Sequence, residues 1–227
     1  MEDFVEHVGG VSALAEPARR ALYLYVVAQP SPVSRDQAAT GVDLPRHTAK
    51  FHLDKLVEEG LLDTESRRLF GRRGPGAGRP TKLYRRSARE VAVSLPPRRY
   101  DLAGQILADA VAETARAGGP VLDAVRRAAE AEGRRMGAGD APAAGEDVLG
   151  SVAATLSARG YEARRDDDGI VLANCPFHAL AQEHAELVCG MNLHLVSALL
   201  DERGASAARA VLDPQPGRCC VRVSHSR

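Results

Sequence analysis

The sequence predicts a mixed α+β fold in which helices are combined with two separate groups of short strands. Three observations support this prediction. Two short helical segments with a turn between them occupy residues 34–60, and a strand, a Gly- and Arg-rich stretch and a second strand follow over residues 61–86. Residues 146–227 combine helical patterns with short strands and carry all four cysteines of the chain.

The length and the ends of the sequence limit the class of protein. A chain of 227 residues can form one large domain or two ordinary ones. The acidic start, Met1-Glu2-Asp3, is not followed by a long apolar run, so we predict neither a signal peptide nor a membrane partner. We expect a cytoplasmic protein whose cysteines are reduced thiols or ligands rather than disulfides.

The first predicted helix covers residues 11–28, with Leu14, Leu22 and Val26 in its buried stripe. Pro17 suits a first helical turn, so the helix could begin there instead. A loop rich in proline, residues 29–32, separates this helix from the next element.

Capping signals mark a pair of short helices after that loop. Ser34 is followed three residues later by Gln37, which is the spacing of a capping box. Gly41 breaks the first helix, Pro45 suits the first turn of the second, and Gly60 suits a left-handed C-cap. This layout predicts a helix-turn-helix whose second helix can enter a DNA major groove.

The helix pair is followed by a predicted hairpin with a basic loop. Lysine and arginine are frequent from Ser66 to Arg99, and Glu90 is the only acidic residue there. Such a hairpin behind a recognition helix is typical of the wing of a winged helix, whose arginines reach phosphates or the minor groove. A solvated basic loop without a partner is the alternative reading.

Two segments, RHTAKFHLDKLVEEGLL and GAGRPTKLYR, resemble winged-helix transcriptional regulators of the ArsR/MarR-like superfamily. The resemblance implies that the second helix reads operator DNA and that the wing contacts its backbone. The implied DNA-facing residues of the helix are Arg46, His47, Thr48, Lys50 and Phe51, and those of the wing are Arg72, Arg73, Arg79 and Lys82. Arg46 could pair with guanine, and Thr48 or Lys50 could hold phosphate. We expect His52 to be a half-buried structural residue.

The middle of the chain is predicted to connect two domains. Leu95-Pro96-Pro97 begins a linker, and an apolar-striped helix follows from Tyr100 to Ala117. A second helix is predicted over residues 120–136 and a flexible loop over residues 137–145. A long helix next to a winged helix is often a dimerisation element, so we expect a homodimer, although an ordinary core helix fits equally well. The predicted domains are residues 1–95, 96–145 and 146–227.

The C-terminal region is predicted to be an α+β domain. A helix from Glu146 to Arg159 precedes two short strands, residues 161–165 and 170–173, that are joined at an Asp-Gly step. We then expect a helical segment interrupted near Gly190 and a terminal strand that contains Cys219 and Cys220.

Three separate positions in this region offer thiols: Cys175, Cys189 and the pair Cys219 and Cys220. Thiolates bind soft metals and iron–sulfur clusters, and a histidine such as His178 can complete the set. Small core residues are the alternative reading, because free cysteines are often buried. Adjacent residues of a strand face opposite sides, and this alternation favours Cys219 over Cys220 as a ligand.

The segment CPFHALAQEHAELVC and the late cysteines resemble the sensor half of SufR-type repressors of iron–sulfur assembly operons. This resemblance implies a [4Fe–4S] cluster held by Cys175, Cys189 and one of Cys219 and Cys220. A Zn²⁺ site with His178 is the alternative. We therefore predict a repressor rather than an enzyme. A winged-helix regulator that senses a small organic ligand, with structural or zinc-binding cysteines, remains the second hypothesis.

Overall fold

The computed structural model describes residues 2–67, 80–138 and 147–225. It forms two compact units, residues 1–93 and residues 94–227. Each unit combines helices with one antiparallel sheet, so the predicted mixed α+β class is confirmed.

The first unit contains four helices and a three-stranded sheet within its described residues. Its elements in chain order are α1 (Glu2–Ala13), α2 (Pro17–Val27), β1 (Val33–Ser34), α3 (Arg35–Gly41), α4 (Arg46–Glu58), β2 (Leu62–Arg67) and β3 (Thr81–Arg86). Strand β3 lies between β1 and β2, and both pairings are antiparallel. The core beneath the helices includes Leu22, Leu53, Leu56 and Tyr84.

The predicted helix over residues 11–28 is wrong in its extent, because two helices share this stretch. Helix α1 ends at Ala13 and α2 begins at Pro17. The Glu16 carboxylate accepts hydrogen bonds from the backbone N–H groups of Ala18 and Arg19, at 3.2 and 2.6 Å, and so caps α2. The alternative start at Pro17 is therefore confirmed.

The capping signals of the helix pair are confirmed. The Ser34 hydroxyl accepts from the backbone N–H of Gln37 at 3.3 Å, and the Gln37 side-chain oxygen Oε1 accepts from the backbone N–H of Ser34 at 2.8 Å. Gly60 follows α4 with a φ of 70°, a backbone conformation that favours glycine. These local signals set the bounds of the two helices because they satisfy N–H and C=O groups that the helix ends leave unpaired.

The second unit contains five helices and a four-stranded sheet within its described residues. Its elements are α5 (Tyr100–Ala117), α6 (Val121–Gly137), α7 (Val148–Ala158), β4 (Ala163–Asp166), β5 (Gly169–Leu172), α8 (His178–Glu183), α9 (Ala185–Glu202), β6 (Ala208–Leu212) and β7 (Val221–His225). The strand order is β4-β5-β7-β6, with every pairing antiparallel. The predicted loop over residues 137–145 lies mostly outside the described residues.

Two expectations for this unit are wrong. Helix α9 continues through Gly190, because a single glycine costs a helix only about 1 kcal/mol, less than the burial of the apolar side chains on both sides of it contributes. Cys219 and Cys220 precede β7 rather than lying in it. Strand β6, which the sequence pattern did not indicate, forms the edge of the sheet next to β7.

Helices α6 and α9 approach each other closely at Gly133. A Cβ atom at this position would lie 2.2 Å from the backbone oxygen of Leu195 and 2.9 Å from the Cβ of Ala198. Such distances are far below van der Waals contact, so only glycine allows this helix–helix distance.

We expect Gly133→Ala to destabilise the second unit by about 1–3 kcal/mol, the usual cost of overpacking a core. The matched control is Gly104→Ala in α5, where a Cβ would meet no atom within 4 Å. That control should instead stabilise the helix by about 0.5–1 kcal/mol. Thermal or urea unfolding of the two variants measures both effects, and equal stability of both would contradict the prediction.

Candidate functional site

Helix α4 presents the predicted DNA-facing residues largely to solvent. Arg46, His47, Lys50 and Phe51 are exposed, while Thr48 is half-buried. The Phe51 side chain is 65% exposed, which is unusual for an aromatic residue that has no partner surface. The opposite side of α4 packs into the core of its unit. The helix thus keeps one face for the fold and leaves the other available for a ligand.

Arg46 is held by an acidic residue of the preceding helix. Its Nε donates to Asp36 Oδ1 at 2.7 Å, and its Nη2 donates to Asp36 Oδ2. The hydrogen bond from Arg46 lowers the pKa of Asp36, and the same bond raises the pKa of Arg46. Both side chains are exposed, so Arg46 can exchange this carboxylate for a guanine or phosphate partner.

Asp54 joins α4 to strand β3 of the hairpin. Its carboxylate accepts from Lys82 at 2.8 Å, from Lys50 at 3.0 Å and from the Tyr84 hydroxyl at 3.2 Å. Burial raises the pKa of Asp54, but the hydrogen bonds from Lys82 and Lys50 outweigh it and lower the pKa overall. Burial and the Asp54 charge raise the pKa of Tyr84 to about 12. This cluster places two ammonium groups beside the exposed face of α4.

The remaining predictions for this unit have different outcomes. His52 is 9% exposed and its Nδ1 lies 3.6 Å from the Glu16 carboxylate, so it is more deeply buried than expected and does not lie on the exposed face of α4. The wing residues Arg72, Arg73 and Arg79 lie outside the described residues. Sequence reasoning did not identify Asp54 as the residue that connects the helix to the hairpin, because its partners follow about thirty positions later.

The second unit brings all four cysteines together. Cys175 lies in the loop between β5 and α8, Cys189 lies in the first turns of α9, and Cys219 and Cys220 lie just before β7. Strands β5 and β7 are neighbours in the sheet, and the backbone N–H of Cys219 donates to Leu172 at 2.9 Å. The sheet therefore brings the segments before and after α9 to one place.

The four thiols are close enough to act on one another. Cys219 influences the pKa of Cys175, and Cys220 influences the pKa of Cys219 and of Cys189. All four cysteines are free. We call this arrangement the sulfur row.

The surroundings of Cys175, Cys219 and Cys189 shift the pKa values of these three thiols. The hydrogen bond to Cys219, followed by burial, raises the pKa of Cys175 far above its usual range. For Cys219 the hydrogen bond with Cys175 lowers the pKa, but the hydrogen bond with Cys220 and burial outweigh it and raise the pKa to about 11. Burial also raises the pKa of Cys189. Cys175, Cys219 and Cys189 are therefore protonated at neutral pH.

A cavity of about 180 Å³ borders the row. Its lining includes Cys175, Cys189, Cys220 and His178, with Gln182 and Arg218 at its edge. Cys219 is not part of this lining and is only 2% exposed. Three cysteines from three chain segments thus face one space, together with the predicted histidine.

Cys219 instead belongs to a buried polar chain. The Asn192 side-chain amide donates to the Cys219 sulfur at 3.2 Å, and the Tyr161 hydroxyl donates to the Asn192 oxygen at 2.6 Å. Asn192 and Tyr161 are both almost fully buried. Sequence reasoning missed them, because a buried Asn has no local signal that separates it from an exposed one.

Two features are absent from the described residues, namely a metal-ion site and a membrane-spanning helix. No group of three or more His, Cys, Asp or Glu side chains has the arrangement of a metal-ion site. In the same residues, no helix combines the length and the apolar character that crossing a membrane requires.

The helix pair and its hairpin have the geometry of a DNA-binding module, since an exposed second helix next to a basic hairpin is suited to major-groove recognition. Residues 14–65 match a family model described as a helix-turn-helix domain. This match supports a DNA-binding transcriptional regulator. Searches of the curated proteins and of the solved structures found no match.

Proposed function

We propose that the protein is a homodimeric transcriptional repressor whose binding to operator DNA is controlled by a [4Fe–4S] cluster held in its second unit. The DNA-reading half rests on the helix-turn-helix match and on the exposed face of α4. The sensing half rests on the sulfur row, which is the single observation that carries the proposal.

The sulfur row suits a cluster because of its donors. Thiolates are the usual ligands of iron–sulfur clusters; three of them would hold three of the four irons, and His178, which lines the same cavity, is available to the fourth. Cys175, Cys189 and Cys220 face one cavity from three different chain segments. When bound, the cluster would supply redox chemistry. The cluster could be oxidised, and the protein could gain or lose it. The protein would supply the thiolates, the cavity and the hydrogen bonds around the sulfurs.

Among the adjacent cysteines, Cys220 is our choice for the third thiolate. The strand alternation that favoured Cys219 does not apply, since both residues precede β7. Cys220 is half-buried and lines the cavity, whereas Cys219 lies behind it and accepts the hydrogen bond from Asn192. In our proposal, Cys219 supports the row from the interior.

In this proposal, the contact between the two copies of the dimer lies on the second unit. Helices α5 and α6 expose Val111, Val121 and Leu122, with 60%, 46% and 58% of their surfaces accessible. Such side chains are suited to an isologous contact between two copies. Two reading heads would then bind half-sites about one DNA turn apart in a pseudo-palindromic operator.

Anaerobic purification followed by iron, sulfide and zinc analysis tests the sensing half. We expect a brown protein that contains iron and sulfide, and an operator affinity that changes after treatment with a chelator. A colourless protein with stoichiometric zinc would replace the cluster by the zinc alternative. Full operator affinity regardless of metal content would favour a small organic ligand. Sedimentation of the operator complex tests the dimer.

A further inference from the structure

The first residues of the second unit are hydrogen-bonded to the loop that carries Cys175. Arg98 Nη1 donates to the side-chain oxygen of Asn174 at 2.5 Å and to the backbone oxygen of Cys175 at 3.0 Å. The side-chain amide of Asn174 donates to Pro97 O at 2.9 Å. In addition, the backbone N–H of Arg99 donates to Pro176 O at 3.0 Å. We call residues 94–99 the connector, because the chain continues through them from the DNA-reading unit.

These hydrogen bonds hold the loop on both sides of Cys175. Asn174 is 8% exposed and also donates to Gly160 O at 2.6 Å, so its amide is fully used within the fold. The connector is therefore bonded on both sides of Cys175, to residues 174 and 176. A displacement of the Cys175 backbone must therefore either move the connector with it or change a hydrogen bond between them.

We propose that Arg98 and Asn174 are positioning residues that hold Cys175 at the sulfur row and transmit its loading state to the connector. This proposal rests on the proposed function. Loading of the row changes the position of Cys175, the Arg98 hydrogen bonds follow the loop, and the connector changes the presentation of the DNA-reading unit. Such coupling requires that the cofactor favour one of two arrangements, and the Arg98 bonds supply the physical link between them.

The test compares the operator affinity of loaded and cofactor-free protein in the wild type and in Arg98→Ala. Typical coupling between two sites is about 5- to 150-fold, so we expect a wild-type ratio of about tenfold or more and a ratio within about twofold in Arg98→Ala. Iron and sulfide content should stay near the wild-type level, because Arg98 supplies no ligand and the bonds from Asn174 to Gly160 and from Arg99 to Pro176 still hold the Cys175 loop. Hydrogen exchange of the Arg99 amide should differ between loaded and cofactor-free wild type and should be fast in both forms of the variant.

Two further variants make the result decisive. Arg116→Ala, an exposed change on α5, should keep the wild-type ratio. Arg98→Lys keeps the charge but not the forked donor, and should give an intermediate ratio. A wild-type ratio in folded, loaded Arg98→Ala overturns the proposal. If Arg98→Ala unfolds or loses its iron, Arg98→Lys decides in its place, and an unchanged ratio there overturns the proposal as well.

The proposed function and the role of Arg98 can be contradicted separately. Wild-type protein without iron and sulfide, or with the same operator affinity in both states, contradicts the proposed function and with it this inference. A large wild-type ratio that Arg98→Ala and Arg98→Lys leave intact contradicts only the role of Arg98 and the connector.

Discussion

Replacing Cys220 by serine is expected to abolish cluster loading, whereas Cys219→Ser should retain it. The reason is the orientation of the two neighbours. Cys220 lines the cavity with Cys175 and Cys189, while Cys219 is buried behind it and accepts a hydrogen bond from Asn192. Serine at position 219 can accept the same bond from Asn192, so the interior keeps its pairing. Serine at position 220 removes a thiolate that an iron atom needs.

The measurement is the iron and sulfide content of each variant after anaerobic reconstitution, together with its visible absorption. Cys175→Ser and Cys189→Ser serve as positive controls for loss, because both line the same cavity. Thermal unfolding of the cofactor-free proteins shows whether each variant folds. Loading that survives in Cys220→Ser but is lost in Cys219→Ser would reverse the assignment, and loading that survives in all four variants would remove the site.

A charge reversal on α4 is expected to produce the second large effect. Lys50 is exposed beside Phe51 and shares the Asp54 carboxylate with Lys82. Lys50→Glu removes a cation that can neutralise a phosphate and places a carboxylate next to the DNA backbone. We expect operator affinity to fall by about 10- to 100-fold, and the negative slope of log affinity against log salt to become shallower by about one or more.

Fluorescence anisotropy with a labelled operator at several salt concentrations measures both quantities. Arg164→Glu, the same kind of charge reversal at an exposed position in β4, is the matched control and should change neither. Because the carboxylate introduced by Lys50→Glu would also lie near Asp54, the unfolding transition of the variant must be compared with the wild type. An unchanged salt slope in folded Lys50→Glu would show that α4 does not lie against the phosphates.

Much of the DNA-reading unit could be predicted from sequence because its signals are local. Ser34 and Gln37 lie three residues apart and cap α3 by themselves, and Gly60 ends α4 because of its own backbone freedom. The apolar spacing of Ala49, Leu53 and Leu56 likewise separates the buried face of α4 from the exposed one. The division of residues 2–27 into two helices was harder to predict, because it depends on the orientation of the Glu16 side chain.

For the candidate sensor site, too, the sequence predicted some features and left others to the tertiary structure. The sequence by itself determined which residue types are available, namely four cysteines in the last third of the chain and His178, three residues after the first of them. It also determined that α5 is a long amphipathic helix. It could not decide between Cys219 and Cys220, since their orientation depends on where β7 begins.

Only the tertiary structure decided that Cys175, Cys189, Cys219 and Cys220 form one row, and that Arg98 and Asn174 fasten the connector beside Cys175. The physical reason is sequence separation. Periodicity and capping act over a few residues. The row depends instead on the pairing of β5 with β7 and on the packing of α9, which lies between these two strands in the sequence. Contacts between residues about fifteen to eighty positions apart arise from the packing of the whole unit, and no local pattern encodes them.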